Sequence, residues 1–382
     1  MSSSRDEGAG EHSYGAGAPY TLGVEEEMFL VDPIAGEQIN ASGAVLERIG
    51  EIDGTVEREL HASQVELITA VCEHVDEAAG ALTSMRRAVT ATGAGLLGAG
   101  THPSAQEGDA EITDKKRYER IRELLGDAVA TAVSGLHIHV GMPDPETAIR
   151  SFNGLRRRLP LLQALGANSP FRHGRDTGLA SSREVTVRGW PRSGVPRAMR
   201  DFEDFVSATS VLVRAADVAD YTWFWWKLRP HPRLGTVEIR ALDTQTSVVD
   251  TTALVALAHC LAREAALGEN QEPDPPAEVL EEGIFRAARY GVHARLPVAD
   301  GTLQSVGELL GQALDVAREH AQDLGCTAEL ESVRELYRHG GGAGRQREIY
   351  AVSGMSALLR RLTQLSGERQ ETDEARAVAP IE

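Results

Sequence analysis

Four pairs of polar side chains recur at i, i+2 spacing within otherwise apolar runs of this sequence. The pairs are Glu25 and Glu27, Gln64 and Glu66, His137 and His139, and Glu238 and Arg240. Successive strand side chains point to opposite faces, so each pair would share one face and leave apolar residues on the other. A single pair is typical of a solvated strand. Four pairs, with Glu59 just before the second strand, instead indicate a functional polar face.

The chemistry of these side chains indicates a metal site. Two glutamates on one strand face repel each other, and carboxylates from neighbouring strands add to this repulsion unless a cation lies between them. Strands would hold such ligands rigidly. Carboxylates outnumber imidazoles and no cysteine belongs to the set, which favours Mg²⁺ or Mn²⁺ over Zn²⁺. Because Mg²⁺ is commonly shared between protein carboxylates and nucleotide phosphates, the acidic face is predicted to bind ATP.

The elements that must position these residues are strands joined by long helices. Strands are predicted over "TLGVEEEMFLVDP", "SQVELITAV", "SGLHIHVGMPD" and "TVEIRALDT". One helix is predicted from residue 76 to about residue 97, and another follows Asp144, with Pro145 in its first position. Further helices are predicted over residues 197–216, 250–267, 276–289, 303–320, 328–338 and 346–366.

Length and composition limit the possible classes of protein. The 382 residues, 42% of them hydrophobic, can bury a large core. We expect a disordered tail over residues 1–18, a single domain over residues 19–367 and a loose acidic tail over residues 368–382. The sequence contains no apolar stretch long enough to span a bilayer and no signal-peptide core, so a cytoplasmic enzyme is predicted. The net charge of −18 argues against nucleic-acid or anionic-membrane partners.

Five motifs in fixed order carry a resemblance to a known family. "GVEEE", "ELHASQVELIT", "SGLHIHVG", "NSPF…DTGLASSR" and "TVEIRALDT" resemble the motifs of the carboxylate-amine ligases, also called type 2 glutamate–cysteine ligases. The similarity extends from about residue 20 to about residue 366. It implies an α+β fold like the catalytic domain of glutamine synthetase: an antiparallel sheet curved into an open funnel, helices packed outside and metal-bound ATP within. It also implies a homodimer.

The resemblance also assigns residues. The positions that match the family's metal ligands are Glu25, Glu27, Glu59, Glu66, His137 and Glu238. Arg183 and Arg240 match positions that hold a substrate carboxylate or the transferred phosphate. Such a site would phosphorylate a carboxylate and let an amine attack the acyl phosphate, with fixed charges stabilising both transfers. Glu66 or Glu59 could accept the amine's proton, and the sequence does not decide between them.

We therefore expect an ATP-dependent carboxylate-amine ligase that acts on small amino-acid substrates. Glutamate is the expected donor and cysteine the leading acceptor, although nothing in the chain specifies a pocket for a thiol. Two alternatives stay open besides a different amine. His137 and His139 could belong to a metal-dependent amidohydrolase, although further ligands at later strand ends are lacking. The second alternative is a non-catalytic binding protein of the same fold.

Three further segments have a predicted role. Two are interpreted as structural, and the third is interpreted as a loop over a nucleotide. "GAGLLG", residues 93–98, matches GxGxxG but follows a helical pattern, which predicts a helix end and turn instead of a dinucleotide site. "YTWFWWK", residues 221–227, is predicted to pack in the core or at an interface. "GGGAGRQR", residues 340–347, is predicted as a flexible loop whose arginines, Arg345 and Arg347, could close over a nucleotide. No P-loop sequence occurs.

Overall fold

The structure, a computed structural model, describes residues 10–268 and 274–367. Its centre is an antiparallel sheet in the order β2-β3-β1-β5-β9-β8, with β4 paired to the end of β1. The strands are β1 (Leu22–Val31), β2 (Thr55–Arg58), β3 (Gln64–Ile68), β4 (Gly95–Leu97), β5 (Gly135–Gly141), β6 (Phe171–Arg172), β7 (Arg175–Asp176), β8 (Leu228–His231), β9 (Thr236–Asp243), β10 (Arg295–Pro297) and β11 (Leu303–Ser305).

Helices pack around this sheet, and several of them cover its apolar face. They are α1 (Ser42–Arg48), α2 (Val75–Ala91), α3 (Lys116–Leu125), α4 (Pro145–Leu165), α5 (Ser182–Val187), α6 (Phe202–Ala216), α7 (Val248–Leu267), α8 (Ala277–Tyr290), α9 (Val306–Ala321), α10 (Thr327–Arg338) and α11 (Gly341–Gly367). Helix α7 is buried along most of its length and packs against α2, α4, α9 and α10. The alternate strand residues Val24, Ile138 and Ile239 are fully buried on this side, so the other sheet face is left for polar groups.

The predicted fold class, α+β with an antiparallel sheet and helices outside, is confirmed. All four predicted strands are present, and Asp144 caps α4 by accepting a hydrogen bond from the Thr147 amide. Among residues 10–268 and 274–367, the helices are all too short or too polar to cross a bilayer.

Three sequence predictions need correction. The helix predicted to reach residue 97 ends at Ala91, and Gly95–Leu97 form β4, because Gly93 (φ 96°) turns the chain back to pair with β1. Residues 341–347 are the first turns of α11 and not a loop. The packed chain also starts before residue 19, since Tyr14 is buried and the amide of Ser13 bonds to Pro232. Residues 1–9 and 368–382 lie outside the described residues.

The two outer strands of the sheet meet through one hydrophobic cluster. Leu60, just after β2, packs with Trp223, just before β8, and with Ile121 of α3. Helix α3 spans the gap, because Tyr118 Oη donates to the carbonyl of Arg58 (2.9 Å) while the guanidinium of Arg117 bonds to Thr222. The segments beside the two outer strands are thus connected through α3 and this one cluster.

Candidate active site

Strand pairing brings the predicted polar residues onto one face. Glu25 lies opposite His137, Glu27 opposite Glu66, and His139 opposite Glu238 in the antiparallel ladders. The irregularity in the pairing of β5 with β9 falls beside Arg240, whose amide bonds to the carbonyl of Lys227 (2.8 Å) on the β8 side. Four adjacent strands thus supply the cluster that the i, i+2 spacing predicted.

One end of the cluster, the acidic half, consists of Glu27, Glu59 and Glu66. Burial, followed by the charge of Glu59, raises the pKa of Glu27 to about 7. Burial raises the pKa of Glu66 well above its usual range, and the charges of Glu59, Glu25 and Glu27 raise it further. Burial also raises the pKa of Glu59, against a hydrogen bond from Tyr118 (3.1 Å). In the described chain, no Arg or Lys nitrogen lies within 4.0 Å of these carboxylates.

The other end, the paired half, consists of Glu25, Glu238, Arg229, Arg240 and His139. Arg229 donates to Glu238 from Nε (2.8 Å) and Nη2 (2.7 Å), and Arg240 also pairs with this carboxylate. Burial opposes ionisation of Glu238, but these guanidinium groups hold its pKa well below the usual range. His139 Nε2 lies 3.3 Å from Glu25 Oε1. Burial lowers the pKa of His139, yet the carboxylates of Glu238 and Glu25 raise it overall.

His137 lies between the two halves. Its Nδ1 is 3.0 Å from Glu25 Oε2, and its Nε2 is 3.7 Å from Glu27 Oε1. Burial and the nearby charge of Arg240 lower the pKa of His137 to about 4, so the ring is neutral at pH 7. A neutral imidazole is the form that can ligate a metal ion.

Two sets of ligand atoms on this face fit a metal ion. One set is Glu25, His137 and Glu238, and the other is Glu27, Glu66 and His137; within each, the candidate atoms lie within 4.8 Å of one another. The donors are oxygens and one imidazole nitrogen, which suit Mg²⁺ or Mn²⁺. Burial and then the neighbouring carboxylates raise the pKa of Glu27 and Glu66, so a divalent cation between them would favour their ionised forms. Glu59 belongs to neither set but borders the second.

Arg183 is brought to this face from α5. Its Nη2 donates to the Arg240 carbonyl (3.4 Å), and it lies so close to Gly135 that a Cβ on that glycine would be 2.3 Å from Arg183 Nη2. The charge of Arg183 lowers the pKa of Glu27, against the larger effect of burial. Both predicted arginines, Arg183 and Arg240, therefore border the acidic half.

Sequence reasoning missed Asp243 and Arg229. The buried carboxylate of Asp243 accepts hydrogen bonds from the Asn168 amide (2.9 Å) and the hydroxyls of Ser169 (2.6 Å) and Ser181 (2.9 Å). It thereby ties the "NSPF" and "LASSR" segments to the end of β9 and places Arg183. Arg229 could have been found, because Lys227, Arg229 and His231 repeat the same i, i+2 spacing. For Asp243 the signal was only its place at a strand end.

Arg345 is not brought to the cluster. Its guanidinium lies on α11 and forms a two-pronged ion pair with Asp250 at the start of α7. Arg347 pairs in the same way with Asp176. Arg345 thus lies on a packed helix with its charge matched by Asp250, and its contact with a nucleotide stays a prediction. The aromatic segment agrees with its structural interpretation in part: Tyr221, Trp223 and Phe224 are buried.

Sequence comparison identifies similar proteins along most of the chain. The profile of glutamate-cysteine ligase family 2 matches residues 21–378. A protein of Rubrobacter xylanophilus named "Putative glutamate--cysteine ligase 2-3" is 43% identical over 361 residues, covering 90% of this chain and 96% of that protein. A protein of Mycolicibacterium smegmatis named "Putative glutamate--cysteine ligase 2-1" is 37% identical over 351 residues. This similarity covers 87% of this chain and 91% of that protein.

Solved structures share the fold at low sequence identity. The glutamate–cysteine ligase of Francisella tularensis in complex with AMP has a TM-score of 0.67 at 13% identity, covering 92% of this chain and 90% of that chain. The bifunctional glutathione synthetase of Pasteurella multocida also has a TM-score of 0.67, at 15% identity, covering 91% of this chain. This chain spans about half, 52%, of that bifunctional protein.

Proposed function

Since the chain belongs to glutamate-cysteine ligase family 2 and is an ATP-dependent ligase of that type, we propose that it joins the γ-carboxylate of L-glutamate to an amine, with L-cysteine as the leading acceptor. The products would be γ-glutamylcysteine, ADP and phosphate. The relatives carry the names of glutamate–cysteine ligases, and one fold neighbour of that name was solved with AMP. A ligase of the same fold that uses a different amine stays the alternative.

The observation that carries the proposal is the unequal charge of the two halves. The paired half is neutralised by guanidinium groups, whereas the acidic half keeps three close carboxylates without such partners. An acidic surface would repel ATP and glutamate, both anions, unless cations come with them. The acidic half, which is bordered by Arg183 and Arg240, therefore suits a metal-bound nucleotide better than a free anion.

In acyl-phosphate chemistry, the residues of this face would act as metal ligands or as binding groups for phosphate and carboxylate. Glu27, Glu66 and His137, with Glu59 beside them, would hold Mg²⁺, and so would Glu25 and Glu238 with the same imidazole. The metal supplies charge stabilisation for phosphate oxygens. Arg183 and Arg240 would hold the transferred phosphoryl group or the substrate carboxylate, because a planar guanidinium can bind two oxygens at once. Asp243 would keep Arg183 in place through the hydrogen bonds described above.

The general base also follows from the acidic half. Burial raises the pKa of both Glu66 and Glu59 in the metal-free protein, and a carboxylate with a raised pKa is a stronger base toward the proton of an attacking amine. We leave both as candidates. The amidohydrolase alternative lacks support, because His139 Nδ1 bonds to Thr236 (3.0 Å) and its Nε2 faces Glu25 and Glu238 on the paired half.

The direct test measures ADP formation by purified protein supplied with ATP, Mg²⁺ and glutamate. The acceptors are hydroxylamine, which traps an acyl phosphate as a hydroxamate, and a panel that includes cysteine and other amino acids and amines. We expect glutamyl hydroxamate and ADP in equal amounts, and none without glutamate. Failure of wild-type protein to form any amide with glutamate under these conditions would reject the donor. If cysteine reacts no faster than the other amines, only the assignment of cysteine as the acceptor is rejected. Size-exclusion chromatography tests the proposed homodimer.

A further inference from the structure

Residues 190–194, together with Trp225, form an aromatic platform at the acidic end of the sheet. The rings of Trp190 and Trp225 meet edge to face with centroids 5.6 Å apart, and both pack against the cluster that contains Leu60. Trp190 Nε1 donates to the carbonyl of Ala128 (2.9 Å), which ties the platform to the segment after α3. Since Leu60 directly follows Glu59, the platform packs against the segment that carries Glu59.

The platform is also connected to Arg240. The Lys227 carbonyl accepts from the Arg240 amide (2.8 Å), and the Lys227 amide donates to the carbonyl of Gly194 (3.3 Å). The ammonium group of Lys227 is buried in an ion pair with Glu184, the neighbour of Arg183. Residues 190–194 are therefore fixed at one end to Ala128 and at the other to Lys227, the backbone partner of Arg240.

Arg192 stands on this platform in an unusual state. Its backbone is in the left-handed region (φ 60°), which non-glycine residues rarely adopt. Its guanidinium lies over the ring of Trp225, 5.6 Å from the centroid, and its Nε donates to the Trp223 carbonyl (3.3 Å). Its Nη2 is buried and has no hydrogen-bond partner in the described chain. Backbone strain and an unpaired buried donor both cost free energy, and both are concentrated at functional sites.

A guanidinium placed over an indole ring, with one nitrogen that lacks a hydrogen-bond partner in the described chain, has a donor to offer a carboxylate. The acidic half creates the need for one, because the carboxylate of an amino-acid substrate is repelled by Glu27, Glu59 and Glu66. Arg183 and Arg240 border the acidic half itself, and Lys227 is already paired. We propose that Arg192 binds a carboxylate group of an amino-acid substrate at the mouth of the site; this inference rests on the proposed ligase function.

The carboxylate has two possible sources, the α-carboxylate of the glutamate donor and the carboxylate of the amino-acid acceptor. Each source is tested by comparing a substrate with its analogue that lacks this group. For the donor, glutamate is compared with 4-aminobutyrate, with hydroxylamine as the acceptor. For the acceptor, cysteine is compared with cysteamine, with glutamate as the donor. The readout is the ratio of kcat/KM within each pair.

The variants are Arg192→Met and Arg192→Lys, with Arg200→Met as the matched control, because Arg200 is a solvent-exposed arginine eight residues away. We expect Arg192→Met to lower one ratio at least tenfold, mainly through KM, and Arg192→Lys to restore part of it. The control should keep both wild-type ratios. A fall in the donor ratio assigns the group to glutamate, and a fall in the acceptor ratio assigns it to the amine. A purely structural role would change all substrates alike and leave both ratios within twofold of wild type, which would overturn the inference.

A failure of the proposed ligase function can be told apart from a failure of the Arg192 inference. If wild-type protein forms no hydroxamate, calorimetric titration with the same four ligands still tests Arg192. Tighter binding of glutamate than of 4-aminobutyrate, or of cysteine than of cysteamine, should be lost in Arg192→Met. Equal affinities of wild type and Arg192→Met for all four ligands would overturn the carboxylate contact.

Discussion

The acidic half and the paired half lie on one sheet face, yet they differ in what balances their carboxylates. Glu238 in the paired half is held by Arg229 and Arg240, and its pKa is lowered. Glu27 and Glu66 in the acidic half have raised pKa values. The carboxylate of Glu238 is thus neutralised by arginines within the chain, whereas the carboxylates of the acidic half have no such partner among the described residues. The same substitution, Glu to Gln, should therefore have opposite effects in the two halves.

The largest expected effect is the loss of activity in Glu27→Gln. The change keeps the shape of the side chain but removes a charged ligand, so ATP turnover should fall at least a hundredfold, which corresponds to about 3 kcal/mol of lost charge stabilisation. The metal-free variant should melt no lower than wild type, because repulsion among the carboxylates is relieved. Steady-state ADP release measures the turnover, and a thermal melt in EDTA measures the stability of the metal-free variant. Wild-type turnover in this variant would remove Glu27 from the ligand set.

The matched change in the paired half is Glu238→Gln, and it should destabilise the fold. It leaves the buried guanidinium of Arg229 without its charged partner, which costs about 3–5 kcal/mol. Urea unfolding of the two metal-free variants side by side gives the comparison. If Glu27→Gln and Glu238→Gln lose equal stability, the distinction between the halves is wrong.

Arg240 borders both halves, and its replacement by Lys separates charge from geometry. Arg240→Lys keeps the positive charge near Glu238 but loses the planar fork, so turnover should fall about a hundredfold with ATP affinity little changed. Arg240→Ala should be worse. Arg229→Lys is the comparison variant: Arg229 also pairs with Glu238, and we expect it to affect stability more than turnover. Full activity of Arg240→Lys would exclude a two-oxygen contact with the phosphoryl group.

The smallest expected effect is a pH dependence of stability in the metal-free protein. The pKa of Glu27 rises from 4.5 to about 7 on folding, so the folded state binds more protons than the unfolded state between these pH values. Its contribution to stability is therefore lost as pH rises through this window, by at most about 3 kcal/mol. Unfolding in EDTA from pH 4.5 to 7.5 should show the decline, and Mg²⁺ or Glu27→Gln should reduce it. A flat profile would contradict the raised pKa.

Much of the polar face was predictable because strand alternation is local. Glu25, Glu27, Glu66, His137 and Glu238 each stood out against apolar neighbours, and antiparallel pairing then brought them together. That they ligate a metal stays a prediction, as do the boundaries of the single domain and the predicted cytoplasmic location.

The missed features depend on partners distant in sequence. Residues 95–97 form a strand only because β1 offers them a free edge, and the three-residue run has no strand pattern of its own. The ion pair of Arg345 with Asp250, 95 positions away, could not be foreseen from the sequence. Helix α3 was missed entirely, since its sequence is strongly polar and only Ile121 among its residues is buried.

The way α3 covers the edge of the sheet also bears on how this protein behaves when it is concentrated or heated. An outer strand with free amide and carbonyl groups can recruit a strand from another molecule and begin aggregation. On β2 the carbonyl of Arg58 is already taken by Lys115 Nζ (3.1 Å) and Tyr118 Oη (2.9 Å). On β8 the chain carries Pro230, which has no N–H to offer. Both outer strands are thus poor templates for intermolecular pairing, and loosening of α3 would expose β2 first.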